Sequence, residues 1–216
     1  MGPEDTEYVA RVLKAGLIHS PCLEVGVGYG SSNHGELVSS AGIRFAGADL
    51  VLGEGVDYVV DFEGPGELIA KQLEEVVPLG SVLILNVLEH TFDPLRVLDN
   101  IFLLLRPGGT CVVLTPTTWP LHNCPYDTWR INPNLYEEYA KRRNVELIDE
   151  FFEYIGCGRV KEHVTSSGEY VLPKPYKNEI WGFVGRAIHK VFNTHGRGMM
   201  YRSHVATAVV LRKPEV

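Results

Sequence analysis

Short apolar runs alternate with helical patterns along most of the chain. The short runs are typical of buried strands, and the three- and four-residue spacing of apolar positions between them is typical of amphipathic helices. The runs predict strands at 21–25, 44–48, 56–60, 81–86 and 110–114. Helices are predicted from near Ser32, at 66–77, and after Asp93, a capping residue followed by a proline. Strands separated by crossover helices predict an α/β fold with a parallel sheet and helices on both faces.

Further elements flank this alternating pattern. Apolar residues from Tyr8 to Leu17 recur at helical spacing and predict an N-terminal amphipathic helix that packs on the domain. The stretch after Thr115, TPTTWPLHNCPYDTWRINP, holds four prolines in nineteen residues and predicts a long surface loop. The remaining predicted elements are a helix at about 134–143, a strand at 145–154 and a last strand at 203–211.

The segment 156–202 separates the last two predicted strands. We interpret it as a basic insertion or lid within a single domain spanning 1–216, because residues 173–202 contain six basic residues and one acidic residue. An apolar helical face begins there at Ile180. Three interpretations are open: the insertion closes over an acidic substrate, it contacts a membrane surface or a partner chain, or it packs on the core. An oligomer is compatible with the second.

Composition narrows the class of protein. The hydrophobic content of 45% is enough for a sizeable core, and the formal net charge of −7 argues against nucleic acid binding, which needs cationic contacts to phosphates. No apolar stretch has the length of a transmembrane helix, and the first residues lack the pattern of a secretory signal. The sequence therefore predicts a cytoplasmic protein that acts on a small molecule.

Three glycines alternate directly after the first predicted strand, in the stretch LEVGVGYGSSNHGE. Glycine in such a turn lets the backbone approach a ligand at the carboxyl edge of a sheet. The dinucleotide-binding fingerprint G-x-G-x-x-G would need its third glycine at position 31, where the chain has Ser31. A diphosphate ligand is therefore the weaker interpretation. Asp49 ends the second strand, where a carboxylate can accept hydrogen bonds from ribose hydroxyls, and Asp61 ends the third, where one can accept from an adenine amino group.

These residues together resemble a known family. Glu24-Val-Gly-Val-Gly-Tyr-Gly30, Asp49, Asp61, NVLEH at 86–90 and LLLRPGGTCVVLTP at 103–116 are similar to the motifs of class I S-adenosylmethionine-dependent methyltransferases. The similarity covers about residues 20–155 and is greatest to the small-molecule "LEH" branch, of type 11/23. It implies a Rossmann-like, doubly wound sheet of seven strands in the order 3-2-1-4-5-7-6, with strand 7 antiparallel.

The resemblance also implies roles for individual residues. Gly26, Gly28 and Gly30 would contact the methionine part of S-adenosylmethionine, whose product is S-adenosylhomocysteine, and Glu24 would also belong to the cofactor site. Asp49 would bind the ribose, Asp61 the adenine, and Asn86 with Val87 the sulfonium region. The chain departs from the family at 50–55, where the longer helix that often follows the second strand is missing.

Candidate catalytic residues lie after strands 4 and 5. Methyl transfer mainly requires alignment of the nucleophile, and a hydroxyl acceptor also benefits from a general base. His122 is the first candidate for this base, with Asp127 as its partner or as the base itself, and His90 is a further candidate. The residues predicted to contact the acceptor are Tyr126, Trp129 and Arg130.

Structural roles remain open for the same residues. Glu89 and His90 would instead cap the helix after Asp93 and order the loop after strand 4. Asp127 and Arg130 would form a salt bridge that holds the long loop, with Trp129 as a core anchor. The histidines and cysteines show no metal-ligand spacing, and no metal site is predicted.

The sequence thus favours O-methylation of a sugar, natural product or lipid-linked acceptor by S-adenosylmethionine. One alternative is a protein that binds the cofactor or a partner without catalysis. A second is an NAD-dependent oxidoreductase or epimerase, although the chain lacks the third fingerprint glycine and a Tyr-x-x-x-Lys pair.

Overall fold

A computed structural model describes residues 3–28, 34–119, 121–122, 126–156 and 205–215. The helices are α1 (Pro3–Lys14), α2 (Gly35–Ser40), α3 (Gly66–Gln72), α4 (Pro94–Leu104) and α5 (Pro133–Arg143). The strands are β1 (Cys22–Val25), β2 (Phe45–Asp49), β3 (Tyr58–Val59), β4 (Leu79–Leu85), β5 (Leu105–Thr118), β6 (Glu146–Leu147), β7 (Glu153–Gly156) and β8 (Val205–Arg212). The alternation predicted from the apolar pattern is confirmed through β5.

The strands form one sheet in the order β3-β2-β1-β4-β5-β8-β6, with β7 also paired to β8. All pairs from β3 to β5 are parallel, whereas β8 runs antiparallel to its neighbours β5, β6 and β7. The predicted Rossmann-like order is therefore confirmed, with β6 and β7 standing together in the place of one edge strand.

The prediction of a single strand at 145–154 was wrong. Leu147 pairs with Leu211, and Glu153 pairs with Ala208. The chain from β6 to β7 therefore spans six positions (147 to 153) where the partner strand β8 spans three (211 to 208). The excess residues form a 3-10 turn at Asp149–Phe151, which breaks the strand in two. Consecutive Phe151 and Phe152 thereby reach different apolar clusters.

Other element bounds differ from the predictions by a few residues. The helix predicted at 66–77 ends at Gln72, and β5 begins at Leu105, five residues before its predicted start, because Leu105 already pairs with Leu79 of β4. The helix predicted from near Ser32 begins at Gly35, and residues 29–33 lie outside the described ranges. The predicted cap is confirmed: Oδ1 of Asp93 accepts a 3.1 Å hydrogen bond from the backbone N–H of Arg96.

Apolar side chains cover both faces of the sheet. Adjacent residues of β4 point to opposite faces, so Leu83 packs with Tyr8 in one cluster while Ile84 packs with Leu98 in the other. A strand buried on both faces is typical of a doubly wound sheet. Because β1, β2 and β4 are parallel neighbours, the loops that follow them begin at the same edge of the sheet.

The N-terminal helix packs on the sheet as predicted. Tyr8, Val9 and Val12 are fully buried, and the Tyr8 hydroxyl donates a 2.6 Å hydrogen bond to the carbonyl of Phe151. Arg11 pairs with Glu153 of β7. None of the helices in the described ranges has the length and apolarity needed to cross a membrane.

The basic insertion predicted at 156–202 lies, apart from Gly156, outside the described residues. Its role as a lid and its contact with a membrane or partner through 173–202 stay predictions. The same holds for the division of the chain into a single domain and for the cytoplasmic location.

Candidate functional site

The glycine turn after β1 lies against the start of the loop after β4. Gly26 adopts a positive φ of 85°, which favours glycine, and a Cβ atom at this position would overlap Cγ2 of Val87. The sequence therefore needs glycine here for two independent reasons. Gly30 lies outside the described residues, so its predicted contact with the cofactor stays a prediction.

The same turn is joined to the end of β2. The backbone N–H of Gly28 donates a 2.9 Å hydrogen bond to Oδ2 of Asp49, and Oδ1 of Asp49 accepts from the backbone N–H of Val51 at 3.2 Å. A Cβ at Gly28 would lie 3.1 Å from the Asp49 carboxylate. The absence of a side chain at Gly28 thus keeps this half-buried carboxylate accessible from the sheet edge.

Asp61 lies one strand further along the edge. It follows β3 by two residues, is exposed, and accepts a 2.9 Å hydrogen bond from the backbone N–H of Glu63 through Oδ1. The carbonyl of Asp49 accepts from the backbone N–H of Val60. Asp49 therefore ends β2, and Asp61 follows the end of the neighbouring strand β3. Contact of either carboxylate with a cofactor stays a prediction.

Glu24 lies within β1 and is almost fully buried. Its Oε2 accepts a 2.8 Å hydrogen bond from the backbone N–H of His34, and its Oε1 lies 2.9 Å from Nδ1 of the same histidine. Glu24 therefore fixes the start of α2, on the far side of the glycine turn. Its direct contact with a cofactor stays a prediction, and His34 is a partner that the sequence analysis missed.

Asn86 brings the N-terminal helix into the site. It has a positive φ of 56°, and its Nδ2 donates a 3.2 Å hydrogen bond to Oδ2 of Asp5, a buried residue in the first turn of α1. Asp5 was not predicted as a site residue, because the helical pattern of α1 indicates only packing. An acidic residue in the first turn of a helix is common, because it interacts favourably with the helix dipole, so the sequence gives no specific indication of a site role for Asp5.

Glu89, His90 and His122 converge beside Asn86. Glu89 and His90 lie in a 3-10 turn, Leu88–His90, whereas His122 comes from the loop after β5. Ligand atoms of the three side chains all lie within 4.8 Å of one another, and the two imidazole rings stand edge to face with centroids 5.0 Å apart. The structure thus brings together all three predicted catalytic residues, because His122 contacts both His90 and Asp127, and it adds the Glu89 carboxyl.

The Glu89 carboxyl is buried without a hydrogen bond from another described residue, although His90 Nε2 lies 3.8 Å from its Oε1. Its side chain is 1% exposed, and neither Oε1 nor Oε2 has a hydrogen-bond partner within the described ranges. Burial raises the pKa of Glu89 to about 8, partly offset by the backbone N–H of Glu89 itself. The predicted capping role is wrong for this carboxyl, because Asp93 caps α4.

The backbone of Glu89 does order the long loop. Its carbonyl accepts hydrogen bonds from the backbone N–H and the hydroxyl of Thr128, at 2.8 and 2.9 Å.

Trp129 is 45% exposed, and its indole N–H donates to the carbonyl of Phe92 at 3.3 Å, so the alternative of a core anchor was wrong. Tyr126 is 69% exposed, and contact of both aromatic residues with an acceptor stays a prediction.

Asp127 is held by two neighbours in the loop. Arg130 donates from both terminal nitrogens, the Nη2 bond being 2.6 Å, and the predicted salt bridge is confirmed. The backbone N–H of His122 donates to Oδ2 at 2.8 Å, and His122 Nδ1 lies 3.1 Å from that oxygen. The hydrogen bond from Arg130 lowers the pKa of Asp127, opposed by burial and aided by the N–H of His122. Asp127 is therefore an ionised group that orients His122.

No protein-family model matches the chain, and neither does any curated protein. Solved structures do share its fold. A S-adenosylmethionine-dependent methyltransferase from Archaeoglobus fulgidus is 16% identical, with a TM-score of 0.53 over 98% of this chain and 95% of that one. The 1,6-didemethyltoxoflavin-N1-methyltransferase of Burkholderia thailandensis, solved with bound 1,6-didemethyltoxoflavin and S-adenosylhomocysteine, is 12% identical, with a TM-score of 0.53 over 97% of this chain and 78% of that one.

A third structure with this fold is that of a protein with a different activity. The [4+2]-cyclase SpnF is 13% identical, with a TM-score of 0.52 over 97% of this chain and 81% of that one. At these identities the comparisons establish a fold that S-adenosylmethionine-dependent methyltransferases use, and the activity has to be argued from the site.

Proposed function

We propose that this protein is a S-adenosylmethionine-dependent methyltransferase that acts on a small molecule. The observation that carries the proposal is the bond between Gly28 and Asp49, which places a bare glycine backbone beside a carboxylate at the open edge of the sheet. A nucleoside with an amino-acid tail needs both features side by side: backbone that admits the tail and a carboxylate for the ribose hydroxyls.

The surroundings of Asp49 also fit a purine nucleoside. The next three residues, Leu50, Val51 and Leu52, are 58%, 65% and 76% exposed, so an apolar surface borders the carboxylate. Asp61 ends the adjacent strand and would accept from the adenine amino group. Ligand sites typically combine apolar surface with a few polar groups that fix orientation, and this edge has that composition.

S-adenosylmethionine supplies an electrophilic methyl group on sulfur. The residues of this chain would align the acceptor and remove its proton. Asn86 and Val87, next to the glycine turn, would border the sulfonium, and the loop carrying Tyr126, Trp129 and Arg130 would border the acceptor. We infer that the acceptor is a hydroxyl of a sugar, natural product or lipid-linked molecule.

His122 is the residue that we propose as general base. Its Nδ1 lies against the Asp127 carboxylate, an arrangement that fixes the tautomer and leaves Nε2 as the basic atom. His90 is the second candidate, since its ring stands 5.0 Å from that of His122.

The cofactor can be tested by calorimetric titration with S-adenosylhomocysteine. One site per chain is expected, and Asp49→Asn should weaken binding by about 1.5–3 kcal/mol because a charged acceptor is lost. Asp57→Asn is the matched control: Asp57 is a second carboxylate near this edge, and it accepts from the backbone N–H of Gly47 at 2.8 Å. Absence of binding, or equal loss in both variants, would overturn the proposal.

A second candidate is a protein of this fold that binds the cofactor without methyl transfer. The [4+2]-cyclase SpnF supports this candidate, because it shares the fold and is named for a different reaction. Incubation with isotopically labelled S-adenosylmethionine and a panel of hydroxyl acceptors separates the two. Binding of S-adenosylhomocysteine without label transfer to any acceptor would support this candidate, and stabilisation by NAD in its place would support an oxidoreductase.

A further inference from the structure

We propose that Glu89, His90 and His122 form a binding site for one divalent transition-metal ion, with two imidazoles and one carboxylate as ligands. The ligand atoms come from the turn after β4 and the loop after β5 and lie within 4.8 Å of one another. Two atoms that are each about 2.1 Å from one ion lie roughly 3–4 Å apart. His90 Nε2 and Glu89 Oε1 are 3.8 Å apart, which lies within this range.

Both histidines are oriented as metal-ligating histidines usually are. His90 bonds through Nδ1 to the carbonyl of Tyr126, and His122 Nδ1 lies 3.1 Å from Oδ2 of Asp127. A carbonyl or carboxylate at Nδ1 fixes the proton there and presents the lone pair of Nε2 to an ion. Arg130 holds Asp127 in place, so this second layer of contacts is itself fixed.

Glu89 provides the independent observation that points to a ligand. Its carboxylate is 1% exposed and receives no hydrogen bond from any other residue in the described ranges. Ionising a buried carboxyl that receives no hydrogen bond is costly, and a bound cation would remove that cost. A residue needed only for packing would not require an acid at this position.

The donor set indicates which ions the site would take. Two nitrogen donors with one carboxylate suit Zn²⁺, Fe²⁺ or Co²⁺, whereas Mg²⁺ and Ca²⁺ prefer oxygen ligands throughout. Three protein ligands also leave a coordination position open. Resting on the proposed function, we infer that an oxygen of the methyl acceptor occupies it. In the metal-bound form His122 would be a ligand and not a base. The ion would lower the pKa of the bound hydroxyl, which would release its proton to solvent, and the oxygen would then take the methyl group while S-adenosylhomocysteine leaves.

The test is a titration of the chelator-treated full chain with Zn²⁺ in competition with a chromophoric chelator. One ion per chain is expected, with affinity reduced about tenfold or more in Glu89→Gln and in His122→Ala. His19→Ala is the matched control, because His19 lies before β1 and outside the cluster. Co²⁺ gives a second readout, since its absorption bands should change in the two cluster variants and not in the control.

Two results would overturn the proposal: no stoichiometric binding, or zinc affinity that is equal in wild type and in both cluster variants. Circular dichroism checks the fold of each variant, and His122→Ala decides if Glu89→Gln does not fold. Titration with S-adenosylhomocysteine in metal-free and zinc-loaded protein separates the two proposals. Zinc binding without cofactor binding contradicts the proposed function alone, and the reverse contradicts the metal site alone.

Discussion

The backbone N–H of Gly28 donates a 2.9 Å hydrogen bond to Oδ2 of Asp49, and this bond joins the turn after β1 to the end of β2. Parallel strands bring their carboxyl ends to one edge, so the two residues meet although 21 positions separate them. The bond fixes the height of the carboxylate against the turn. A ligand that uses the bare backbone of the turn therefore finds the carboxylate at a defined distance.

A methyl group at Gly28 should weaken cofactor binding and leave the fold intact. In Gly28→Ala the added Cβ would lie 3.1 Å from the Asp49 carboxylate and 3.3 Å from Val56, which is tight without being prohibitive. We expect about a tenfold or greater loss of affinity for S-adenosylhomocysteine, measured by calorimetry, because the methyl covers an acceptor. Gly53→Ala serves as control, since its Cβ would have no neighbour closer than 3.6 Å. Equal affinity in both variants would contradict the prediction.

Glu24 should contribute to stability through His34. Its two oxygens accept from the backbone and the ring of His34 in a buried place, so Glu24→Gln replaces a charged acceptor by a neutral one and sets a donor against a donor. The free energy of unfolding in urea should fall by about 1–3 kcal/mol. In a His34→Ala background the same change should cost clearly less, because the ring partner is gone. Additive effects would show that the pair is not coupled.

His19 should make stability depend on pH. Burial and the charges of Arg106 and Arg212 lower the pKa of His19 from its usual value of 6.5. The unfolded chain therefore takes up this proton before the folded chain does, and the contribution of His19 is lost as the pH falls below about 6.5. Urea unfolding of wild type and His19→Gln at pH 8 and pH 5 checks this. The wild type should lose more stability than the variant between the two pH values, and a smaller loss would contradict the sign.

The alternation of strands and helices and the position of the glycine turn could be predicted because both depend on local patterns. The order of the strands was predicted only through the resemblance to class I methyltransferases. Apolar runs and helical spacing define the elements, and the ends of parallel strands necessarily share an edge. The break between β6 and β7 could not be predicted, because it depends on the register with β8, a strand far along the chain. Local apolar content is equally high on both sides of that break.

The contacts around Glu89 were out of reach for a related reason. Asp5 and Asn86 are 81 positions apart, and His122 reaches His90 only through the conformation of a proline-rich loop. Spacing rules for metal ligands recognise residues at short, regular separations, so they do not detect a site whose ligands come from two separate loops. Only the folded chain reveals that the Glu89 carboxyl receives no hydrogen bond from the described residues.

Glu89 should reduce the stability of the metal-free protein. A buried carboxyl that receives no hydrogen bond is costly to ionise, whereas an amide of the same shape carries no charge. Glu89→Gln should therefore raise the free energy of unfolding at pH 8 by about 1–3 kcal/mol. Urea unfolding of chelator-treated protein measures the difference, and Glu74→Gln, an exposed change after α3, should have almost no effect. Added zinc should reverse the order, because only the wild type gains binding free energy from the ion. A variant that is less stable than wild type without metal would mean that the carboxyl has a stabilising partner in the folded chain, and the argument from its isolation would fail.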